Sequence, residues 1–183
     1  MRAARSHPSG FAVRWARVPE GMPRRDVAWG MIAELAGDPP ALRVRNPCPR
    51  CGGPHGEIVL EGTDLRGSVA YAGRIAVAAV TPAAGTLGFG IDAEARLDPV
   101  RDRAGWDGVP VPGRRGTVRE WTRIEAALKA DGRGLAVDPG RVVVRERPDG
   151  TWSATLPGRR GPAEGWDVLA TSDLVVSAAI LRQ

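Results

Sequence analysis

The chain has 183 residues, 43% of them hydrophobic and 26% charged, which suits one ordinary domain or two small ones sharing a core and excludes a mainly disordered chain. No window approaches the roughly 18 uninterrupted apolar residues of a membrane span, and no apolar signal core of about 7–15 residues follows the basic N-terminal stretch, so a cytoplasmic protein with no membrane partner is expected. The net charge of +5 favours an acidic partner, but the 26 basic residues are interleaved with 21 acids rather than gathered in a stripe, which argues against nucleic acid.

Along the chain, the stretch 26–37 (DVAWGMIAELAG) predicts a helix with an Asp start and a Gly stop, ended by Pro39-Pro40. ALRVR and EIVL predict two short strands flanking NPCPRCGGPHG, which is too rich in turn formers for regular structure. Within 66–80 the run IAVAAV reads as a strand buried on both faces. GFGIDAEA is a further strand ending in charge, followed by a long Pro/Gly/Arg-rich connection over 97–116. The best helix is predicted over 117–131, with Thr117 as N-cap, Glu120 as its capping-box partner, Gly132 just past the end, and Trp121, Ile124 and Leu128 on the buried face. RVVVRER and TWSATL flank a Pro148-Asp149-Gly150 hairpin signal, and DLVVSAAIL predicts a last buried strand. The order predicts an α+β fold of two similar halves, 1–86 and 87–183.

Two pairs of residues carry chemistry. Asp92 and Glu94 stand at i and i+2 in a predicted strand, so both carboxylates leave the same face; they raise each other's pKa unless a cation binds them, or they end the strand in solvent. Glu125 and Lys129 share one helix face, as a surface ion pair or as something more. Lys129 is the one lysine among 26 basic residues, a compact ammonium where the chain otherwise uses planar guanidinium.

In this order and spacing, Gly90-Ile91-Asp92-Ala93-Glu94 and Trp121-Thr122-Arg123-Ile124-Glu125-Ala126, followed by Lys129 and Gly132-Arg133-Gly134-Leu135, resemble the 4′-phosphopantetheinyl transferase superfamily of the larger, pseudo-dimeric type. Cys48-Pro-Arg-Cys51-Gly52-Gly53-Pro54-His55-Gly56 is similar to a turn found in actinobacterial members. The resemblance implies two α+β halves related by a pseudo-twofold axis, with coenzyme A in the cleft between them. It implies Mg²⁺ on Asp92, Glu94 and Glu125, with Glu125 also the base toward a serine of an acidic acyl or peptidyl carrier protein, and Lys129 on the CoA pyrophosphate. A monomer is expected. The chain departs from the family where Ala70-Tyr71-Ala72-Gly73 replaces Ser-His-Ser-Gly, where Gly56-Glu57-Ile58 replaces Gly-Lys-Pro, and where Ile124 replaces a lysine. All three losses concern nucleotide or phosphate recognition. They leave open a working transferase in which Arg66, Tyr71 and Arg74 supply the missing contacts, a transferase with a changed substrate, or a non-catalytic protein that binds a carrier.

Other chemistries are weaker. Cys48, Cys51 and His55 offer three soft ligands, yet a structural zinc site wants a fourth and the other histidine is His7; the alternative is a Pro/Gly turn with two packed thiols. Gly52-Gly53-Pro54 prevents the helix that redox Cys-x-x-Cys motifs open. No Gly-x-Ser-x-Gly is present, and the six tryptophans read as core and interface anchors.

Overall fold

The apolar run of residues 75–80 alternates its side chains between two different cores, and that alternation sets the layering of the molecule. In the computed structural model, which describes residues 5–99, 116–168 and 173–183, the run forms the central strand of an antiparallel sheet. In chain order the elements are β1 (Arg5–Ser6), β2 (Ala12–Arg17), α1 (Arg24–Leu35), β3 (Arg43–Arg45), β4 (Val59–Glu61), β5 (Leu65–Ala72), β6 (Ile75–Pro82) and β7 (Thr86–Ala95). They continue with α2 (Val118–Asp131), single 3₁₀ turns at Gly134–Ala136 and Pro139–Arg141, then β8 (Val143–Glu146), β9 (Trp152–Thr155), β10 (Ala163–Val168) and β11 (Leu174–Arg182).

The first sheet has the order β1-β2-β6-β5, the second β7-β11-β10-β9-β8, and β3 pairs with β4 in a separate ribbon. In β6, Val77 and Ala79 join Val13 and Trp15 of β2 against Phe89, Ile91, Val176 and Ile180 of the second sheet, so the two sheets pack face to face. Ala76, Ala78 and Val80 point the other way, onto Ala28, Met31 and Ile32 of α1. On the far side of the second sheet, Ile124, Ala127 and Leu128 of α2 pack against Ala179, Leu181 and Trp152. The result is α1, sheet, sheet, α2 in four layers, a mixed α+β architecture. The sequence of strand, helix, hairpin, strand, strand occurs twice, and β2-β6-β5 and β7-β11-β10 have matching orders in their sheets. No helix among the described residues is long and apolar enough to cross a membrane.

Local signals account for most boundaries. At α2 the Thr117 hydroxyl accepts from the Glu120 N–H (3.2 Å), the Thr117 N–H donates back to Glu120 Oε2 (3.0 Å), and Gly132 closes the helix at φ 75°. Helix α1 starts two residues before the expected Asp26, after Pro23 at φ −61° with no side-chain cap; Asp26 instead lies in the first turn, where a carboxylate suits the positive end of the helix. The Pro148-Asp149-Gly150 turn joins β8 and β9 as expected, with Glu146 paired to Trp152. Strands β1, β2, β5 and β10 were not among the expected elements. The long connection over 97–116 lies almost wholly outside the described residues, as does Trp106; Trp15 and Trp152 are core residues.

Candidate active site

Strand β7 faces α2 with Gly88, Gly90, Asp92 and Glu94 and turns Phe89, Ile91 and Ala93 into the core between the sheets. The two glycines decide how near the helix comes. A Cβ on Gly88 would stand 1.8 Å from the Ala130 carbonyl oxygen, and one on Gly90 would stand 2.1 Å from the Ala126 carbonyl oxygen and 2.8 Å from Lys129 Cβ. Bare backbone lets the last turns of α2 lie directly on the strand. Lys129 therefore reaches over the strand, and its Nζ donates to Asp92 Oδ1 (2.7 Å), to the Ile91 carbonyl (3.1 Å) and to the Val69 carbonyl of β5 (3.4 Å). Three acceptors from two strands match the three donors of an ammonium, a geometry that a planar guanidinium does not reproduce. The lysine's ion pair is thus with Asp92 across the strand, and it joins α2 to both sheets; the Ile91 N–H donating to Ser68 Oγ (3.0 Å) adds a second tie between β5 and β7.

Asp92 is buried, and its Oδ2 has no hydrogen-bond partner. Glu125 sits one turn before Lys129 on α2. Burial raises its carboxyl above the ordinary range, the negative charges of Asp92 and Glu94 raise it further, and Lys129 opposes them. These are hard oxygen donors, mutually repulsive, with one buried oxygen left unsatisfied. Asp92, Glu94 and Glu125 offer carboxylate oxygens, the donor class that Mg²⁺ takes together with phosphate oxygens and water, but they do not converge on one point. Their ligand atoms are spread more widely than those of Cys48, Cys51 and His55, the one trio among the described residues in which all three lie within 4.8 Å of one another.

Asp92, Glu125 and Lys129 line a cleft of 1360 Å³. Its lining comes from β5, β7, α2, the start of α1 and the 46–58 loop. Tyr71 lines it with Arg24 stacked over the ring at 4.6 Å; burial pushes the phenol up, and Arg24 and Arg25 pull it back. Arg25 donates to the Pro54 carbonyl (2.7 Å) and thereby ties α1 to the loop. Arg133, just past α2, is held by Asp131, which also takes Arg159 and is itself fully buried.

Of the residues singled out in the sequence, Asp92, Glu125, Lys129 and Tyr71 line this cleft, while Glu94, Arg66 and Arg74 are outside its lining. Arg66 donates to the Thr86 carbonyl (2.8 Å) and pairs with Glu57 (3.6 Å); Arg74, in the turn after β5, donates to the Val18 carbonyl (3.3 Å). The cations that do line the cleft include Arg24, Arg25 and Arg133. The first two are carried by the Pro-Arg-Arg-Asp start of α1, a cluster visible in the sequence but without meaning until the helix is docked. Ile124, the apolar residue at a lysine position of the resembled family, packs between α2 and the second sheet and is not among the residues that line the cleft. Neither a family model nor a curated protein matches the chain.

Proposed function

We propose that the chain transfers the 4′-phosphopantetheine arm of coenzyme A to a serine of an acidic acyl or peptidyl carrier protein. The observation that carries this reading is buried Asp92, clamped by Lys129 yet with Oδ2 unpartnered, in a cleft that arginines also line, in a chain whose element order occurs twice. A pseudo-twofold relation of the two runs, with the co-substrate between them, is part of the proposal. So are a monomeric state and a cytoplasmic location.

Asp92, Glu94 and Glu125 would hold Mg²⁺, which when bound neutralises the pyrophosphate. Glu125 takes the serine proton as the hydroxyl oxygen attacks the phosphorus that bears the pantetheine arm. The phosphoanhydride bond breaks and 3′,5′-ADP departs with its electron pair. Lys129 counters the charge that develops there, while Arg24, Arg25 and Arg133 orient the phosphates. The excess of basic residues steers an acidic carrier toward the cleft.

A second reading rests on one specific observation: the Lys129 ammonium is already engaged by Asp92 and two carbonyls, as in a fold relative that grips a carrier and transfers nothing. Incubation with CoA, Mg²⁺ and an apo acyl carrier protein separates the two. The transferase reading requires the carrier to gain the mass of one phosphopantetheine, and requires Asp92→Ala and Glu125→Ala to abolish the gain while staying folded. A carrier of unchanged mass in complex with the protein supports the second reading and overturns the first.

A further inference from the structure

The 46–58 loop has no regular structure between β3 and β4, yet its backbone is tightly cross-bonded. The Gly52 N–H donates to the Cys48 carbonyl (2.8 Å), the Cys48 N–H to the Gly53 carbonyl (2.8 Å), the His55 N–H to the same carbonyl (2.9 Å), and the Gly56 N–H to the Asn46 carbonyl (2.8 Å). Gly52 turns the chain at φ 71°, and at Gly56 a Cβ would stand 2.1 Å from the Pro47 carbonyl oxygen. This folding brings Cys51 Sγ to 3.0 Å from His55 Nε2, and the three ligand atoms of Cys48, Cys51 and His55 lie within 4.8 Å of one another. The expected alternative, two thiols packed in a turn, does not hold: Cys51 is exposed and Cys48 only partly covered.

We infer that Cys48, Cys51 and His55 form a structural zinc site that fixes the loop as a wall of the cleft, with water on the fourth position. Two sulfurs and an imidazole nitrogen are soft donors suited to Zn²⁺ and unsuited to Mg²⁺. In a tetrahedral site with ordinary Zn–S and Zn–N bonds the ligand atoms stand about 3.5–3.8 Å apart, so the trio needs only a small adjustment. Two thiolates balance the charge of the ion. The exposure of Cys51 and His55 leaves the remaining position open to solvent, so the lack of a fourth side chain is no obstacle. A clamp here has mechanical use, because the Pro54 carbonyl accepts from both Arg25 of α1 and Asn46 (2.7 and 2.9 Å) and links the loop to the cleft. The site stands independently of the transferase reading.

The test is the metal content of the untagged full-length protein, followed by chelator stripping and titration of the wild-type protein with Zn²⁺ and Co²⁺. The expected result is one zinc per chain that survives dialysis, with Co²⁺ giving sulfur-to-metal charge-transfer bands and tetrahedral d–d bands. Cys48→Ser and Cys51→Ser each weaken zinc binding at least 100-fold and His55→Ala at least 10-fold, whereas His7→Ala leaves it unchanged. Stripping the wild type also speeds proteolytic cleavage within 46–58. Stripped wild-type protein that takes up no zinc, or uptake equal in all four variants, overturns the site. Because the wild type is itself titrated, a misfolded cysteine variant does not blunt the result.

Discussion

Gly90→Ala tests whether the close seat of α2 on β7 creates the site. The added Cβ would stand 2.1 Å from the Ala126 carbonyl oxygen, 2.5 Å from the Ala130 nitrogen and 2.8 Å from Lys129 Cβ, two of them backbone atoms that have no rotamer to change. Ordinary contact begins near 3.4 Å. The helix must therefore retreat by about 1 Å or more, as much as separates a working from a failed catalytic geometry. Overpacking of this kind costs about 2–3 kcal/mol, toward the upper end because backbone must move. For a chain of this size that lowers Tm by about 4–12 °C. Lys129 is lifted from Asp92 Oδ1, now 2.7 Å away, so ligand binding in the cleft should fall more than global stability explains. Thermal unfolding by circular dichroism and parallel ligand titration measure both. An unchanged Tm with unchanged binding would mean that the close seat of α2 on β7 does not shape the cleft.

Three further outcomes follow from the same geometry. Glu125→Gln stabilises the fold at neutral pH: the native state holds the Glu125 proton more tightly than the unfolded chain, so the wild type loses stability as pH rises from the ordinary carboxylate range through the raised native value. Each tenfold tightening is worth about 1.4 kcal/mol, so the Tm advantage of the variant grows over that window and vanishes below it; an advantage that grows on acidification contradicts the sign. Lys129→Ala leaves Asp92 buried and unpaired, costing about 1.5–3 kcal/mol in urea unfolding and, under the proposed function, about 10²–10³-fold in transfer rate, whereas Lys129→Arg keeps part of both; equal effects would reduce Lys129 to a generic cation. Asp131→Ala frees Arg133 and Arg159, whose side chains are each 40% exposed and regain water, so the cost is about 1.5–3 kcal/mol; a neutral effect would mean that the buried carboxylate is no anchor for the end of α2.

What the sequence could express was local. Thr117, Glu120 and Gly132 announce α2 because capping is settled within a few residues, and IAVAAV announces a doubly covered strand by its composition. Strand β10 escaped because its reason lies elsewhere in the chain: a Cβ on Gly165 would stand 2.2 Å from the Trp152 indole, so a residue that weakens a strand in isolation is required where the ring lies on it. Strand β2 did carry alternation, with Val13 and Trp15 facing the inter-sheet core. The same division runs through the site. Asp92, Glu94, Glu125 and Lys129 stand out by spacing, and the single lysine stands out by composition. The carbonyls of Val69 and Ile91 that give its ammonium three acceptors belong to different strands, and no linear pattern encodes their meeting. Arg24 and Arg25 enter the cleft through the docking of α1, while Arg66 and Arg74, nearer in sequence to the altered motif, are spent on the Thr86 and Val18 carbonyls.

Titration calorimetry of CoA, dephospho-CoA and ADP into the purified protein, each with and without Mg²⁺, bears on the proposed function most directly. The proposed function predicts Mg²⁺-dependent binding of CoA, weaker for dephospho-CoA and weaker again for ADP. Equal binding of CoA and dephospho-CoA would contradict recognition of the 3′-phosphate, and no binding of any of the three with Mg²⁺ present would contradict the transferase reading itself.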